Sequence, residues 1–336
     1  MKELLPQVEK YFKTNLHTHS TISDGIIDRR EVKERYKAAG YSVLALTDHN
    51  VIYDHSDMND PDFLMLTGIE VNHNSDTYRP RFDGKVYHFN LIAKDPTNTW
   101  TPHKILKKYP GAVGFEEGMT CEHMDMSYSV EAANAMIAKA NEKGFLVMYN
   151  HPTWSCQTWD DYAPLKGLWA MELRNGACSR MGNDTDNSRV YRELVNLGNR
   201  IFPVGADDSH NYDDSFRAWI MLGAEKLEYG AVIEALEKGE FYMSCGPEIH
   251  SITVDGSIVK VKCSPATHIV VQGHGRFGRQ LQAPAGQTVT EAEFDISFFF
   301  NKSNGDPDHW IRFVVTDAAG NYAATRAYYV PELLAE

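Results

Sequence analysis

Short apolar runs alternate with helical patterns from Asn15 to about residue 225. Each run has the length and the continuous hydrophobicity of a strand that is buried on both faces. The runs are SVLALT, FLMLTGIEV, VYHFNLIA, FLVMYN, LWAMEL and IFPVGA. Because a repeated succession of strand and helix indicates parallel strands joined by crossovers, we expect an α/β fold with a closed or nearly closed barrel.

Two of the helical patterns carry signals at both ends. Asp28 is placed as the N-cap of DRREVKERYKAAG, and Gly40 is placed as its stop. Ser129 and Gly144 take the same positions in SVEAANAMIAKANEKG. A last helix and a short strand in YGAVIEALEKGEFYMSCGP are expected to end this part of the chain near Gly246.

After Pro247 the pattern changes to short strands separated by turn signals such as Asp-Gly and Gly-Asn, which is typical of an antiparallel β-sandwich. The strands are expected in IHSITVDGSIVKVKC, HIVVQGHG, EFDISFFF and WIRFVVTDAAGNYAATRAYYV, with no helix before PELLAE. A chain of 336 residues exceeds the size at which a single core grows easily. We therefore expect a barrel over residues 1–245 and a small sandwich domain over residues 246–336.

The net charge of −13 disfavours nonspecific binding to nucleic acid, which requires clustered Lys and Arg. No apolar run approaches the length of a membrane span, and the N-terminal MKELLPQVEKYFK lacks an apolar signal core. We therefore expect a cytoplasmic protein without membrane contact. The five cysteines are an odd number without a C-x-x-C pair, which argues against a disulfide framework and against a zinc ribbon.

A histidine pair, His17 and His19, lies in NLHTHSTISDG, and Asp24 follows five residues after His19. Alternate residues of a strand point to the same face, so the two imidazoles can aim at one point while the turn returns Asp24 as an oxygen ligand. The same pair would also fit a polar strand end on the surface. A metal site therefore requires further ligands downstream.

Further potential ligands occur at or near the ends of the later strands, where parallel α/β folds build their sites. They are His49, Glu70, His88, His151, Asp208 and His210. Taken singly, His88 could be a core histidine, Glu70 a salt-bridge partner and His151 a turn residue. Together with the first three residues they would be a costly concentration of buried polar groups unless a metal cluster satisfies them. The other histidines are expected at the surface or behind the ligands.

These motifs resemble, in order and approximate spacing, the motif series of the polymerase and histidinol phosphatase (PHP) superfamily. The matching stretches are HTHSTISDG, LALTDHN, GIEV, VYHFNLI, NHP and GADDSH, and the resemblance covers roughly residues 14–245. The combination of NHP, GADDSHN and GEFYMSCGPEIHSITVDG before a β-rich tail is similar to the branch that contains carbaryl hydrolase.

The resemblance implies a distorted seven-stranded α/β barrel that holds two or three divalent metal ions, variously zinc, manganese or iron. It implies a first metal on His17, His19, Glu70 and Asp208, a second on Glu70, His88 and His151, and a third on Asp24, His49 and His210. Some members of the superfamily have a histidine in the position of Asp24. An oxygen donor there shifts the preference of the third site toward manganese or iron.

In this arrangement Glu70 bridges two metals, which share a water and lower its pKa toward neutrality, so that a hydroxide forms without a protein base. Asp208 helps to hold the first of these metals. The third metal would polarise a phosphoryl oxygen or steady the leaving group. His151, if it is not fully committed to metal, and His123 are the candidates for a general acid.

Two arginines are available as clamps for phosphate oxygens, Arg217 in DSFRAW and Arg174 in MELRNG. Each is equally compatible with a structural role. We expect the catalytic residues to be Glu70, Asp208, His151 and Arg217.

The first functional hypothesis is a metal-dependent phosphoesterase that acts on a small phosphorylated molecule. The same hydroxide could instead hydrolyse a non-phosphate ester or a carbamate. A third hypothesis is a metal-stabilised binding module, but structural metal sites are closed and usually mononuclear, whereas this ligand set leaves open positions. The histidines of the tail lack carboxylate or cysteine partners at ligand spacing and are expected to be solvated: His250, His268, His274 and His309.

Overall fold

The structure is a computed structural model that describes residues 1–74, 84–103, 120–182 and 186–334. Each of the six apolar runs of the sequence contributes most of its residues to one strand. Up to residue 244 the strands are β1 (Lys2–Glu3), β2 (Phe12–Asn15), β3 (Val43–Leu46), β4 (Leu64–Asn74), β5 (Val86–Ala93), β6 (Trp100–Thr101), β7 (Thr120–Cys121), β8 (Phe145–Tyr149), β9 (Ala170–Asn175), β10 (Phe202–Ala206), β11 (Trp219–Leu222) and β12 (Phe241–Ser244).

The helices of this part are α1 (Arg29–Ala38), α2 (Val130–Glu142), α3 (Trp159–Tyr162), α4 (Gly176–Arg180), α5 (Ser188–Asn196) and α6 (Tyr229–Lys238), with a 3-10 turn at Ser56–Met58. Two of them, α1 and α2, begin and end close to the signals that the sequence carries. The Asp28 carboxylate accepts the backbone N–H of Arg30 at the start of α1, and the Ser129 hydroxyl accepts that of Ala132 at the start of α2. Gly40 and Gly144 follow these helices with φ of 81° and 83°, the left-handed region that favours glycine.

The strands form one large mixed sheet in which β10, β9, β8, β5, β4, β3 and β2 are neighbours in that order. Pairing is parallel from β2 to β4 and from β8 to β10, as expected. The prediction of parallel pairing is wrong for β5, which runs antiparallel to both β4 and β8. Residues 75–85 connect β4 to β5, and a parallel crossover needs a dozen or more residues.

A closed barrel is not found among the described residues. The free edge of β2 is occupied by β11, which pairs with it antiparallel and leads on to β12, so β10 has no place to pair there. The two ends of the row nevertheless approach each other, because a Cβ on Gly205 of β10 would lie 3.0 Å from the carbonyl oxygen of Trp219. The observed fold is thus a mixed α/β sheet that curves without closing through hydrogen bonds.

The tail consists of two antiparallel sheets. Its elements are β13 (Ile249–Asp255), β14 (Ile258–Ala266), β15 (His268–Gly273), β16 (Gly278–Gln282), β17 (Val289–Asp295), α7 (Ser297–Ser303), β18 (Trp310–Thr316), β19 (Tyr322–Thr325), β20 (Tyr328–Tyr329) and α8 (Val330–Leu334). One sheet has the order β1, β13, β14, β17, and the strands β19, β18, β15 and β16 continue the large sheet from β12. Side chains of both sheets, such as Ile252, Val261 and Phe313, share one apolar cluster.

The sheet therefore passes residue 245 without a break, since β12 pairs with β19. The N-terminal strand β1 also belongs to the sheet of the tail. The division into residues 1–245 and 246–336, with a sandwich as the second domain, stays a prediction. No helix in the described ranges has the length and apolar composition needed to cross a membrane.

The stretch EFDISFFF, expected as a strand, changes from strand to helix in its middle. β17 ends at Asp295, whose carboxylate accepts the backbone N–H of Ser297 at 2.8 Å, and α7 begins there. Asn304 and Gly305 follow α7 with φ of 50° and 73°, which ends it. Adjacent phenylalanines fit the period of a strand or of a helix, so the apolar pattern alone does not separate the two.

The histidines of the tail differ in exposure. His250 is exposed and lies 3.3 Å from the Glu248 carboxylate. His274 is half-buried and stacks on His309 with ring centres 4.3 Å apart. His268 and His309 are half-buried as well, so full exposure holds for His250 among the four.

Candidate metal centre

The nine ligands predicted from the sequence come together on the large sheet. Their side chains form three groups in which potential ligand atoms lie within 4.8 Å of one another. The groups are His17, His19, Glu70 and Asp208; Glu70, His88 and His151; and His19, Asp24, His49 and His210. These are the combinations that the resemblance implied, with His19 as an added member of the third, and the assignment of each residue as a ligand stays a prediction.

The direction of His17 and His19 is set by the backbone directly after β2. Thr18, between them, forms a parallel bridge with Ser209 and donates its N–H to the Thr47 hydroxyl at 3.2 Å. The N–H of His19 bonds the carbonyl of Ser209 at 2.9 Å. With the backbone held in this extended form, the two alternate side chains point to the same side.

The first group is buried and compact. Nε2 of His17 lies 3.3 Å from Oε1 of Glu70 and 3.2 Å from Oδ1 of Asp208. Nε2 of His19 lies 3.2 Å from Nε2 of His17 and 3.1 Å from the same Asp208 oxygen. In a tetrahedral ion with metal–nitrogen bonds of 2.0–2.1 Å, the ligand atoms are separated by roughly 3.3 Å. The four side chains therefore have the spacing that one bound ion would require.

Glu70 of β4 also faces the second group. Its Oε1 lies 3.1 Å from Nδ1 of His88 and 3.4 Å from Nε2 of His151, while its Oε2 faces His19 at 3.3 Å. Burial by itself would raise the pKa of Glu70, but the surrounding histidines hold that pKa well below its ordinary value. Oε2 of Glu70 and Nδ1 of His88 are buried and make no hydrogen bond within the described part of the chain, as expected of atoms that a cation would satisfy.

The third group is wider and more open. Oδ1 of Asp24 lies 3.4 Å from Nε2 of His210, and its Oδ2 lies 3.7 Å from Nε2 of His49. The side chains of Asp24 and His210 are 30% and 29% exposed, whereas the first group is almost fully buried. Burial lowers the pKa of His49 to about 3. Burial would also lower the pKa of His17 and His19, but the carboxylates of Asp208 and Glu70 raise it.

Glu172 of β9 orients the first group from behind. Its Oε1 lies 2.6 Å from Nδ1 of His17, so that Nε2 of the ring faces Glu70. Its Oε2 accepts the backbone N–H of His151 at 2.9 Å and Nδ2 of Asn175 at 3.0 Å. A carboxylate behind a metal-binding histidine commonly fixes its ring and its tautomer. The sequence analysis missed Glu172, although an acid within the apolar run LWAMEL is a signal of a buried partner.

Asp48 holds the loop that follows His19. Its carboxylate accepts the N–H and the hydroxyl of Ser20, both at 2.8 Å, and those of Ser23 at 3.1 and 2.7 Å. Gly25 lies against the same loop, because a Cβ there would meet the carbonyl carbon of His19 at 2.8 Å. These contacts position the acidic member of the third group, and the sequence analysis missed Asp48 as well.

Two of the predicted ligands have positive φ, 53° at Asp208 and 26° at His151. Asp208 is held by the bond from its N–H to the carbonyl of His17 at 2.9 Å, and His151 by the bond from its N–H to Glu172. Such backbone strain persists only where the surroundings impose it, and it clusters at functional sites.

A cavity of about 530 Å³ adjoins the three groups. Besides the predicted ligands, its walls include Asn72, Trp154, Ala177, Arg180, Met181 and Asp214. Among the described residues that line the cavity, one is an arginine or a lysine, and this residue is Arg180. The sequence analysis did not single it out. The volume suits a small molecule.

The other residues considered from the sequence lie elsewhere. Arg217 is exposed and donates from Nε to the carbonyl of Asp213 at 3.0 Å, and it does not line the cavity. Neither Arg174 nor the exposed His123 lines it. Closeness to a ligand motif along the chain does not fix the direction of a long side chain, so these three carry no geometric support for a role at the site.

A scan against models of known protein families gave no match. The chain is 38% identical to the 5'-3' exoribonuclease of Haemophilus influenzae over 90 residues, which are 26% of this chain and 30% of that protein. The match thus spans less than a third of the exoribonuclease.

Among solved structures, a two-domain protein of Bacteroides vulgatus containing a predicted PHP-like metal-dependent phosphoesterase matches over 98% of each chain, at 14% identity and a TM-score of 0.45. The chain is similar to that protein in outline. An amidohydrolase of Chromobacterium violaceum with bound sulfate and no metal matches over 68% of this chain and 96% of its own, at 15% identity and a TM-score of 0.38. The first description names the superfamily that the motifs resemble, and similarity at this level does not assign an activity.

Proposed function

We propose that this chain is a metal-dependent phosphoesterase of the PHP superfamily that hydrolyses a small phosphorylated substrate. The observation that carries the proposal is the position of Glu70 between two groups of histidines, 3.3 Å from His19 and 3.1 Å from His88. A carboxylate shared in this way holds two metal ions near each other, which is the arrangement of many hydrolytic phosphatase sites.

The chain supplies the ligands, and bound divalent ions would supply a hydroxide at neutral pH and the charge that stabilises a phosphoryl group. In the proposal His17, His19 and Asp208 complete one site around Glu70, and His88 and His151 complete the next. The wider third group, which contains the oxygen donor Asp24, fits manganese or iron better than zinc. Its exposure places it nearest to an incoming substrate.

In the proposal the cation that binds the phosphate is Arg180, and not Arg217 as the sequence analysis predicted. The Nε of Arg180 donates to Oδ1 of the buried Asp214. Asp214 also accepts the backbone N–H groups of His210 and Asn211, each at 3.1 Å. Asp214 therefore ties Arg180 to the loop that carries His210. A guanidinium has five N–H donors, so Arg180 can keep this contact and still bind phosphate oxygens.

His151 acts as a ligand in the proposal and not as a general acid, because both of its ring nitrogens are engaged. Its Nδ1 lies 3.2 Å from the Ser155 hydroxyl, and its Nε2 lies 3.4 Å from Glu70. In the proposal the proton for the leaving group comes from water or from the substrate itself.

A neutral ester or a carbamate is the second candidate substrate. The observation that favours it is the pairing of Arg180 with Asp214, because the carboxylate offsets the charge that an anionic substrate would meet. Hydroxide generation at Glu70 would serve either reaction.

A substrate screen with manganese, zinc or iron separates the candidates. Phosphate monoesters and diesters, aryl esters and carbamates are offered to the metal-loaded protein, and inorganic phosphate is tested as an inhibitor. We expect phosphoester turnover with competitive inhibition by phosphate, and a KM that rises about tenfold in Arg180→Ala but not in Arg217→Ala. Turnover confined to esters or carbamates, without inhibition by phosphate, would contradict the phosphoesterase.

A further inference from the structure

We propose that the substrate carries an aromatic or similarly flat apolar group, and that this group stacks on Trp154 at the mouth of the cavity. This inference rests on the proposed phosphoesterase function and adds the class of the alcohol that is esterified. Its starting point is the wall that follows β8 and β9, where Trp154 and Met181 are 40% and 49% exposed and Ala177 lies with them. Large apolar side chains exposed in a concave site mark the place of an apolar ligand group.

Residues before and after Trp154 in the chain hold its loop by hydrogen bonds. The N–H and the hydroxyl of Thr153 donate to Oδ1 of Asn187 at 3.1 and 2.6 Å. The N–H of Cys156 bonds the carbonyl of Thr153 at 3.1 Å. The backbone that carries the indole is thus held in a fixed turn. Binding of a ligand to the indole therefore costs little conformational entropy of the loop.

Trp154 and Arg180 both line the cavity. The Trp154 ring lies 4.9 Å from the ring of His151, at 80°, and 6.0 Å from that of His88, which places it beside the second group. Arg180 is tied through Asp214 to the loop of the third group. In the proposal a phosphoester binds across the groups with its phosphate toward Arg180 and its alcohol portion against Trp154.

Trp154 could instead only shield the second group from water. That role would show in metal binding, since loss of the indole would open His88 and His151 to solvent whatever the ligand. A stacking role would show in the affinity for aromatic ligands while metal content stays the same. The two roles are therefore separated by measuring both quantities on one set of variants.

The test compares methylphosphonate with benzylphosphonate by calorimetric titration of the manganese-loaded protein. Both carry the same anionic head, and one adds a ring. Stacking on an aromatic side chain is worth about tenfold in Kd, so benzylphosphonate is expected to bind the unaltered protein about tenfold more tightly. Trp154→Ala should remove this preference without changing the Kd of methylphosphonate or the metal content, and Trp154→Phe should keep most of it.

Trp159→Ala is the matched control, because Trp159 is 47% exposed on α3 and does not line the cavity. It should retain the full preference. Equal affinities for the two phosphonates in the unaltered protein would overturn the inference, and so would metal loss or equal weakening of both ligands in Trp154→Ala. If neither phosphonate binds the metal-loaded protein, the phosphoesterase proposal itself fails.

Discussion

His17 is held between two carboxylates that act on opposite sides of its ring. Glu172 bonds Nδ1 at 2.6 Å and fixes the ring, and Glu70 lies 3.3 Å from Nε2, where an ion would sit. Loss of the Glu172 carboxylate should weaken metal binding, and loss of the Glu70 carboxylate should abolish binding at the sites that it bridges. Substitutions of these two acids therefore have different expected results.

Glu172→Gln should weaken binding of the most tightly held metal by about 10- to 100-fold, because outer carboxylates tune the basicity and orientation of their histidine. Competition with a chelator of known affinity measures this. Glu332→Gln, which changes a carboxylate bound to Arg326 in the tail, is the matched control and should have no effect. An unchanged metal affinity in Glu172→Gln would contradict the positioning role.

Glu70→Gln should lower the metal content from two or three ions per chain to at most one, because a neutral amide neither bridges two cations well nor balances their charge. Elemental analysis after reconstitution with manganese gives the count. Retention of two ions would show that Glu70 does not bridge.

Asp208→Asn and His210→Ala should differ in kind, although one residue separates them. In the proposed mechanism the first change weakens the compact site that would generate hydroxide, and the second empties the open third group. With a phosphoester substrate both should lower kcat by orders of magnitude, since each contribution amounts to several kcal/mol. With a neutral ester His210→Ala should be much milder, and kinetics on the best substrate of the screen distinguishes the two cases.

The sequence pointed to the nine residues of the three groups because histidines and acids recur in or close to successive strands, and their assignment as ligands stays a prediction. It could not predict Arg180, which lies on the short helix α4 without a motif around it. Glu172 and Asp48 were missed for a different reason, since their partners lie far away in sequence, 155 residues in the case of Glu172 and His17. Local patterns give the positions of functional groups more readily than the contacts that orient them.

Loop packing controls the third group at the scale of elements. A Cβ on Gly25 would lie 2.8 Å from backbone atoms of His19 and Ser20, which cannot move as a flexible side chain can. Gly25→Ala should therefore shift the loop, cost about 1–3 kcal/mol of stability and weaken the third metal first. Thermal unfolding and metal analysis test this, with Gly230→Ala as the control, because nothing lies within 4 Å of its Cβ position. Equal behaviour of both variants would contradict the tight contact.

Strand and helix identities were predictable where length and caps agreed, as in α1 and α2. The orientation of β5 followed from the length of one connection, which the apolar runs do not reveal. The change from β17 to α7 follows Asp295, whose carboxylate accepts the backbone N–H of Ser297. Apolar periodicity did not reveal this change, because adjacent phenylalanines fit either a strand or a helix.

Continuity between the two parts of the chain is the main feature at the scale of the whole molecule. β12 pairs with β19, β1 pairs with β13, and Leu5 and Tyr242 lie in the apolar cluster of the tail. The change in the hydrophobic pattern after Pro247 predicted the strands of the tail. It did not predict the pairing of these strands with the first part of the chain, because strand pairing over such distances has no local signal.

The protein should therefore unfold in one cooperative transition, since neither part can lose its structure without exposing a strand edge and apolar surface of the other. Differential scanning calorimetry compared with far-ultraviolet circular dichroism checks this. Two resolved transitions, or a calorimetric enthalpy that exceeds the van't Hoff enthalpy, would contradict it.

The wide spacing of the ligands along the chain sets the order of events during biosynthesis. His19 and Asp208 are 189 residues apart, yet their side chains lie 3.1 Å from each other. A ribosome releases the histidine pair long before Asp208 and His210, so the complete pocket cannot exist until nearly two thirds of the chain has emerged. Metal cannot nucleate this fold in the way that it nucleates a zinc finger. An ion bound by these residues would enter a sheet that the apolar strands have already assembled, and its identity would then depend on what the compartment offers at that late stage.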